Sequence, residues 1–278
     1  MLQPVKFSNK LLSLDYDKDS IFIGDTKGYI YKYKLTCSKI EKLFYCDSPI
    51  SSVVKYNTDI YYTNWDGYIF KNDKSTFLQQ DIIKSMIIRR DLIYVAVDFY
   101  IYILSLDLEI KEKIKVPIKV LSFCNMNEYI VCGLTLPFLG FLDKKNNLTI
   151  KKTNHDTGIL CVKFLQNKIY TGCVDGSIQV YDISEFIDDN KEIDINQCQI
   201  INEKSKKWIR DIFSENLFSR GNEIVYNAKK VYEHDDEVTR VIKIDDKIFS
   251  IGIDCTMKTF TEEKILDAEM DEIQELNK

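Results

Sequence analysis

The chain has 278 residues, 45% hydrophobic and 29% charged, which is enough apolar material for one large domain or two small ones. Its formal charge is −5, and it has neither an apolar run of about 18 residues nor a basic start followed by an apolar stretch, so no membrane span or signal peptide is expected. Eight cysteines without a CxxC pair and two distant histidines give no metal-ligand spacing and read as reduced, buried thiols of a nuclear or cytosolic protein, and no Walker loop, GxGxxG or HExxH calls for a cofactor.

Taken in order, the sequence is a succession of short, mostly alternating apolar runs separated by turn residues, which is a strand pattern. Residues 7–34 form a first unit, with Leu11, Leu12, Leu14 and Tyr16 in its opening strand and a turn at Lys27-Gly28. Residues 46–73 form a second, in which Trp65 directly precedes a turn aspartate, Asp66. Residues 75–108 and 114–143 form blurred third and fourth units without a histidine or a clear turn aspartate. The fifth, from His155 to Asp182, is the clearest and reads as a complete four-stranded unit: a polar turn HDTG, then ILCVKF, IYTG and SIQVYD, with a tight turn at Asp175-Gly176. Residues 206–231 make a short sixth unit and residues 233–261 a seventh.

Two units share one frame. His155 precedes Asp175 by 20 residues and Asp175 precedes Tyr181 by 6; His234 precedes Asp254 by 20, and Asp254 precedes Phe260 by 6. Self-similarity at roughly 40 residues indicates propeller blades, because a lone twisted sheet cannot bury both faces and radial stacking buries them all. The expected fold is therefore all-β, a seven-bladed β-propeller over residues 1–261. Two acidic segments stand apart from it. Residues 182–205 and residues 262–278 each hold seven acids against two lysines, so together they carry ten excess negative charges and leave the propeller body at +5. The first reads as a long insertion loop. The second places Leu266, Met270, Ile273 and Leu276 on one stripe and reads as an amphipathic C-terminal helix.

The fifth unit resembles a WD repeat, whose usual form runs from a Gly-His pair to a Trp-Asp pair; Asn154-His155 stands at the first and Tyr181-Asp182 at the second. The resemblance implies that the histidines are structural, each held by its turn aspartate, with a third-strand hydroxyl linking to the ring at that strand's end. His155, Asp175, Ser177 and Tyr181 would fasten one blade, and His234, Asp254, Thr256 and Phe260 another. Phe260 has no polar group, so the second network is expected to be truncated. The first unit, with Phe7 and Lys27 at the His155 and Asp175 positions, is expected to have lost its fastening. The resemblance also implies ring closure by an N-terminal strand, here Leu2–Lys6, with Pro4 tolerable on an edge. His155, Asp175 and Ser177 are the residue types of a hydrolase triad, but no GxSxG accompanies them. Members of the family are usually rigid, non-catalytic platforms in multiprotein complexes, and they bind peptides on the face that carries the Trp65 position. The acidic turns holding Asp47, Asp156, Asp235 and Asp236 would favour a basic segment of a protein partner there. The alternative is an RNA-associated propeller using basic clusters such as Lys204, Lys206, Lys207 and Arg210 around Trp208.

Overall fold

The computed structural model describes residues 3–182 and 198–261, and these fold as seven four-stranded antiparallel sheets arranged in a ring. A two-residue strand β1 (Val5–Lys6) comes first. Blade one is β2 (Leu11–Tyr16), β3 (Ser20–Asp25), β4 (Tyr29–Lys34) and β5 (Lys39–Tyr45); blade two is β6 (Ile50–Tyr56), β7 (Asp59–Asn64), β8 (Tyr68–Lys71) and β9 (Lys74–Phe77). Blade three is β10 (Ile83–Arg89), β11 (Leu92–Val97), β12 (Tyr100–Ser105) and β13 (Ile110–Lys115); blade four is β14 (Val120–Met126), β15 (Tyr129–Leu134), β16 (Phe138–Leu142) and β17 (Leu148–Lys152). Blade five is β18 (Ile159–Leu165), β19 (Lys168–Cys173), β20 (Ile178–Asp182) and β21 (Cys198–Asn202); blade six is β22 (Ile212–Ser214), β23 (Leu217–Arg220), β24 (Glu223–Tyr226) and β25 (Lys229–Glu233). Blade seven is β26 (Val238–Ile244), β27 (Lys247–Gly252) and β28 (Thr256–Thr261), with β1 as its outer strand.

The core lies between the blades. Seven apolar clusters fill the seven gaps; one joins Phe22 and Ile30 of blade one to Ile50 and Tyr62 of blade two, and another joins Phe249 and Met257 of blade seven to Leu11 and Tyr31 of blade one. Second strands are therefore buried on both faces and read as nearly continuous apolar runs: every residue of β3 is buried. Outer strands such as β13, IKEKIK, face solvent and are polar. The innermost strand of every blade carries a register shift against its neighbour within its first three residues, for example between Leu11 and Ser13 or Ile159 and Cys161. Such a bulge bends each inner strand around the axis in the same way.

The expected closure is present. Val5 pairs with Met257 and Lys6 with Thr256, and the Phe7 amide donates to Cys255 O at 2.9 Å. Blade five departs from the sequence reading. His155–Asp182 supplies only three strands, and the fourth, β21, comes from the end of the segment assigned to the acidic loop. Acids dominate that segment and mask a short CQIIN run that is enough for an outer strand. Residues 183–197 of the expected loop, and the expected helix over 262–278, lie outside the described residues.

Candidate functional site

Strand direction alternates within each blade, so the loop entering a blade and the turn between its second and third strands share one end of the ring, the upper face. Both histidines sit there, buried, but their networks differ. In blade seven His234 Nδ1 contacts Asp254 Oδ2 at 2.9 Å and His234 Nε2 contacts Ser250 Oγ at 2.7 Å. Thr256 donates its hydroxyl to Asp254 Oδ1 at 2.8 Å, and the Asp235 and Thr256 amides donate to the same carboxylate. Burial opposes ionisation of Asp254, but the hydrogen bonds from His234 and Thr256 outweigh it and hold the carboxyl at about 2.

The expected truncation at Phe260 does not occur. Tyr232, from the outer strand of blade six, lies face to face on the Phe260 ring, and its hydroxyl is hydrogen-bonded to Ser250. Two aromatic side chains, one apolar and one with a polar tip, together complete the network. The hydroxyl that meets His Nε2 comes from the second strand of each blade, Ser250 or Thr171, while the Ser177 and Thr256 hydroxyls, expected to link to the rings at Tyr181 and Phe260, bond the turn aspartates and meet His Nδ1 instead.

In blade five the aspartate is one step removed. His155 Nε2 contacts Thr171 Oγ1 at 2.7 Å and Nδ1 contacts Ser177 Oγ at 2.9 Å, while Asp175 is 3.8 Å away and is bonded by the Ser177 hydroxyl at 2.5 Å. Tyr181 donates to Gln179 Oε1 at 2.6 Å. Burial dominates the titration of His155 and pushes its imidazole down to about 4. A folded pKa below the unfolded value of 6.5 means that the folded state needs the neutral ring. This contribution is complete above about pH 6.5 and is lost as pH falls toward 4, amounting to about 3 kcal/mol. Asp254 behaves differently: its contribution persists down to about pH 3.8 and is lost only below that. On acidification from pH 7 to 5, hydrogen exchange is therefore expected to accelerate first in β18–β20 while β26–β28 stay protected. Simultaneous loss of both blades, or acceleration that survives in His155→Gln, would show that the ring is not the cause.

Blade one has kept a fastening after all, at another position. Asp25, fully buried, receives the Lys27 and Tyr29 amides on Oδ1 at 2.8 and 2.9 Å, and Asn9 Nδ2 and the Tyr31 hydroxyl on Oδ2 at 2.8 and 3.0 Å. In blade two Asn64 takes the same place: its Oδ1 accepts the Asp66 and Tyr68 amides at 3.2 and 2.9 Å, and Asp66 itself is exposed. Both fall two residues before the Asp175 position, where blade five has Cys173. A shared Asx residue at that offset was the available signal.

The remaining upper-face side chains differ around the ring, although ion pairs occur on both sides of it, as between Asp98 and Lys119, whose ammonium lies over the Phe99 ring. Trp65 is 41% exposed, Phe99 40% and Leu136 51%; they stand on the corresponding turns of blades two, three and four. Tyr68 and Phe77, opposite each other at the rim of blade two with rings 5.0 Å apart, extend this apolar surface outward. Exposed carboxylates flank Trp65: Asp66 follows it, and Asp47 belongs to the loop whose Pro49 carbonyl accepts the Trp65 amide at 3.1 Å. Blades five to seven carry charges that are paired internally. Lys204 pairs with Asp156, Lys207 with Glu223 at 2.7 Å, and Arg210 with Glu237 at 2.6 Å while lying over the Trp208 ring. The structure thus brings Asp47 to Trp65 but leaves Asp156, Asp235 and Asp236 on blades five to seven, with Asp236 accepting the Glu237 amide at 2.7 Å.

His155, Cys173 and Asp175 place one potential metal ligand each within 4.8 Å of one another, the one such group among the described residues. Both His155 nitrogens face hydroxyls and Cys173 Sγ is hydrogen-bonded to Thr157, so a metal would have to displace Ser177 and Thr157.

No protein-family model matches the chain, and no curated protein matches it in sequence. Among solved structures, 1232 chains match, so the architecture is widely shared and does not select a function. One is the crystal structure of a computationally designed protein, Ika8, which aligns with a TM-score of 0.62 at 13% identity over 92% of this chain and 85% of that one. At that identity the likeness concerns the fold alone.

Proposed function

We propose that this propeller is a divergent WD-repeat protein and a non-catalytic platform in a nuclear or cytosolic complex, holding a basic segment of a protein partner on the upper face of blades two to four. The observation that carries this reading is the row of exposed Trp65, Phe99 and Leu136 on three successive blades. Exposed apolar side chains on neighbouring blades, with the Asp98–Lys119 pair beside Phe99 as a polar edge, suit a docking surface, and aromatic side chains are favoured anchors in one. Asp47 and Asp66 beside Trp65 supply the charge that a basic segment meets. Free cysteines, four of them buried, fit a reducing compartment. The non-catalytic reading is supported by Ser250, His234 and Asp254, which have the order of a hydrolase triad, but the Ser250 hydroxyl is buried and already hydrogen-bonded to Tyr232 as well as to His234.

Affinity capture of tagged protein from its native cells, analysed by mass spectrometry, tests this reading. A stoichiometric protein partner is expected with wild type and lost with Trp65→Ala or Phe99→Ala; truncating an anchor of this kind costs about 2 kcal/mol, roughly thirtyfold in affinity. Retention of every partner by both variants, or recovery of RNA alone, would contradict the reading. The RNA alternative is disfavoured because Lys204, Lys207 and Arg210 are all engaged by acids.

A further inference from the structure

The axial channel carries charge that the fold does not consume. The inner strands enclose about 350 Å³, and blades two to four line it with apolar and hydroxyl side chains. All its charged lining comes from blades one, five, six and seven: Asp15, Lys163, Arg210, Asp211 and Arg240. Two of these are committed to the scaffold. Arg210 donates Nε and Nη2 to Glu237 Oε2 at 2.9 and 2.6 Å, and Asp211 Oδ2 accepts the Val241 amide at 3.0 Å.

The other three are not. The Lys163 ammonium makes no hydrogen bond or contact ion pair among the described residues and acts on Asp15 only through space. Arg240 donates Nη1 to Thr239 O at 2.7 Å, and its remaining N–H groups have no partner among the described residues. Asp15 accepts the Lys55 amide at 2.6 Å. Burial dominates its titration and pushes it up to about 6 despite that hydrogen bond and Lys163. A group held so far from its ordinary range costs stability at neutral pH, and such groups concentrate where a ligand is handled. Two half-buried cations with spare donors line one channel whose walls focus their field, which is the chemistry an anion needs.

We propose that the channel binds a phosphate group, held by the Lys163 ammonium and the Arg240 guanidinium and bounded on the blade-one side by Asp15. The group is either free phosphate or the end of a small phosphomonoester. Asp15 sets the affinity from below, since its negative charge opposes a second one and its removal strengthens the field of the two cations.

The test is isothermal titration of the whole chain at pH 7.5 with inorganic phosphate and, separately, with glycerol 3-phosphate, each against sodium chloride at matched ionic strength. Lys163→Gln and Arg240→Gln are each expected to weaken binding at least about tenfold, the loss of one charge-assisted hydrogen bond. Asp15→Asn is expected to tighten binding, a gain that a damaged fold cannot imitate. The tighter of the two ligands identifies the natural source. Heat no different from matched chloride would overturn the proposal, and so would binding that is the same in wild type and in all three variants.

Discussion

Replacing His234 by alanine is expected to cost about 3 kcal/mol, because it takes a hydrogen-bond partner from the Asp254 carboxylate and from the buried Ser250 hydroxyl at once. The imidazole is the central member of a buried chain that runs from Tyr232 through Ser250 to Asp254. Without it the Asp254 carboxylate loses a donor, and Ser250 is left against a cavity beneath the stacked Tyr232 and Phe260 rings. Chemical denaturation should show the loss as a lowered midpoint with an unchanged slope. Tyr232→Phe removes only the terminal hydroxyl and should cost about 1–2 kcal/mol. Because Tyr232 and Ser250 share one chain, Tyr232→Phe with Ser250→Ala should cost less than the sum of the two single changes. Strict additivity would mean that blades six and seven are not joined through this network.

The second large effect concerns ring closure. Deleting residues 1–7 removes the outer strand of blade seven, the Phe7 amide bond to Cys255, and the Val5 and Phe7 side chains from the cluster between blades seven and one. Phe7 packs edge-on against Tyr31 with ring centres 5.1 Å apart, so the first unit's ring at the histidine position secures the joint by apolar contact. The lost burial alone corresponds to about 2–4 kcal/mol. The deletion also bares the part of the β28 edge that β1 covers, at Thr256 and Met257, and an unpaired strand edge recruits other chains. Size-exclusion chromatography with thermal melting should therefore show a lower melting temperature together with self-association. A monomer that melts like the full chain would show that the inner strands alone close the ring.

The two copies of the His–Asp frame, together with seven rounds of strand and turn, were sufficient to read the architecture from the residues. What escaped did so for local reasons. A fastening reduced to one Asx residue, as at Asp25 and Asn64, leaves no histidine to find, and its partners Asn9 and Tyr31 have no fixed spacing from it. The strand Cys198–Asn202 is short and follows an acidic stretch, so its composition resembles that of a loop. Tyr232 belongs by sequence to the outer strand of blade six, and nothing local reveals that it completes the network of blade seven. The bulge common to all seven inner strands has no single residue type at its extra position, which is Leu12 in blade one, Lys84 in blade three and Thr239 in blade seven.

The candidate surface was legible in part. Trp65 stood out because its counterparts are Thr26, Val174 and Ile253. Phe99 and Leu136 lay in the two blurred units, where no motif aligned their turns with that of Trp65. The charges around the ring were legible as residues but not as pairs: the sum of nearby acids and bases does not show that Lys204 is taken by Asp156, or Arg210 by Glu237. Only the pairing shows which of these charges are already met: Asp98 by Lys119, Asp156 by Lys204 and Glu237 by Arg210.

The most direct measurement is hydrogen exchange of the full chain with and without its captured protein partner. The account predicts protection concentrated at the turns that carry Trp65, Phe99 and Leu136 and along the rim strands holding Tyr68 and Phe77, with the turns of blades five to seven unchanged. Protection confined to blades five to seven, or to the opposite face, would contradict it.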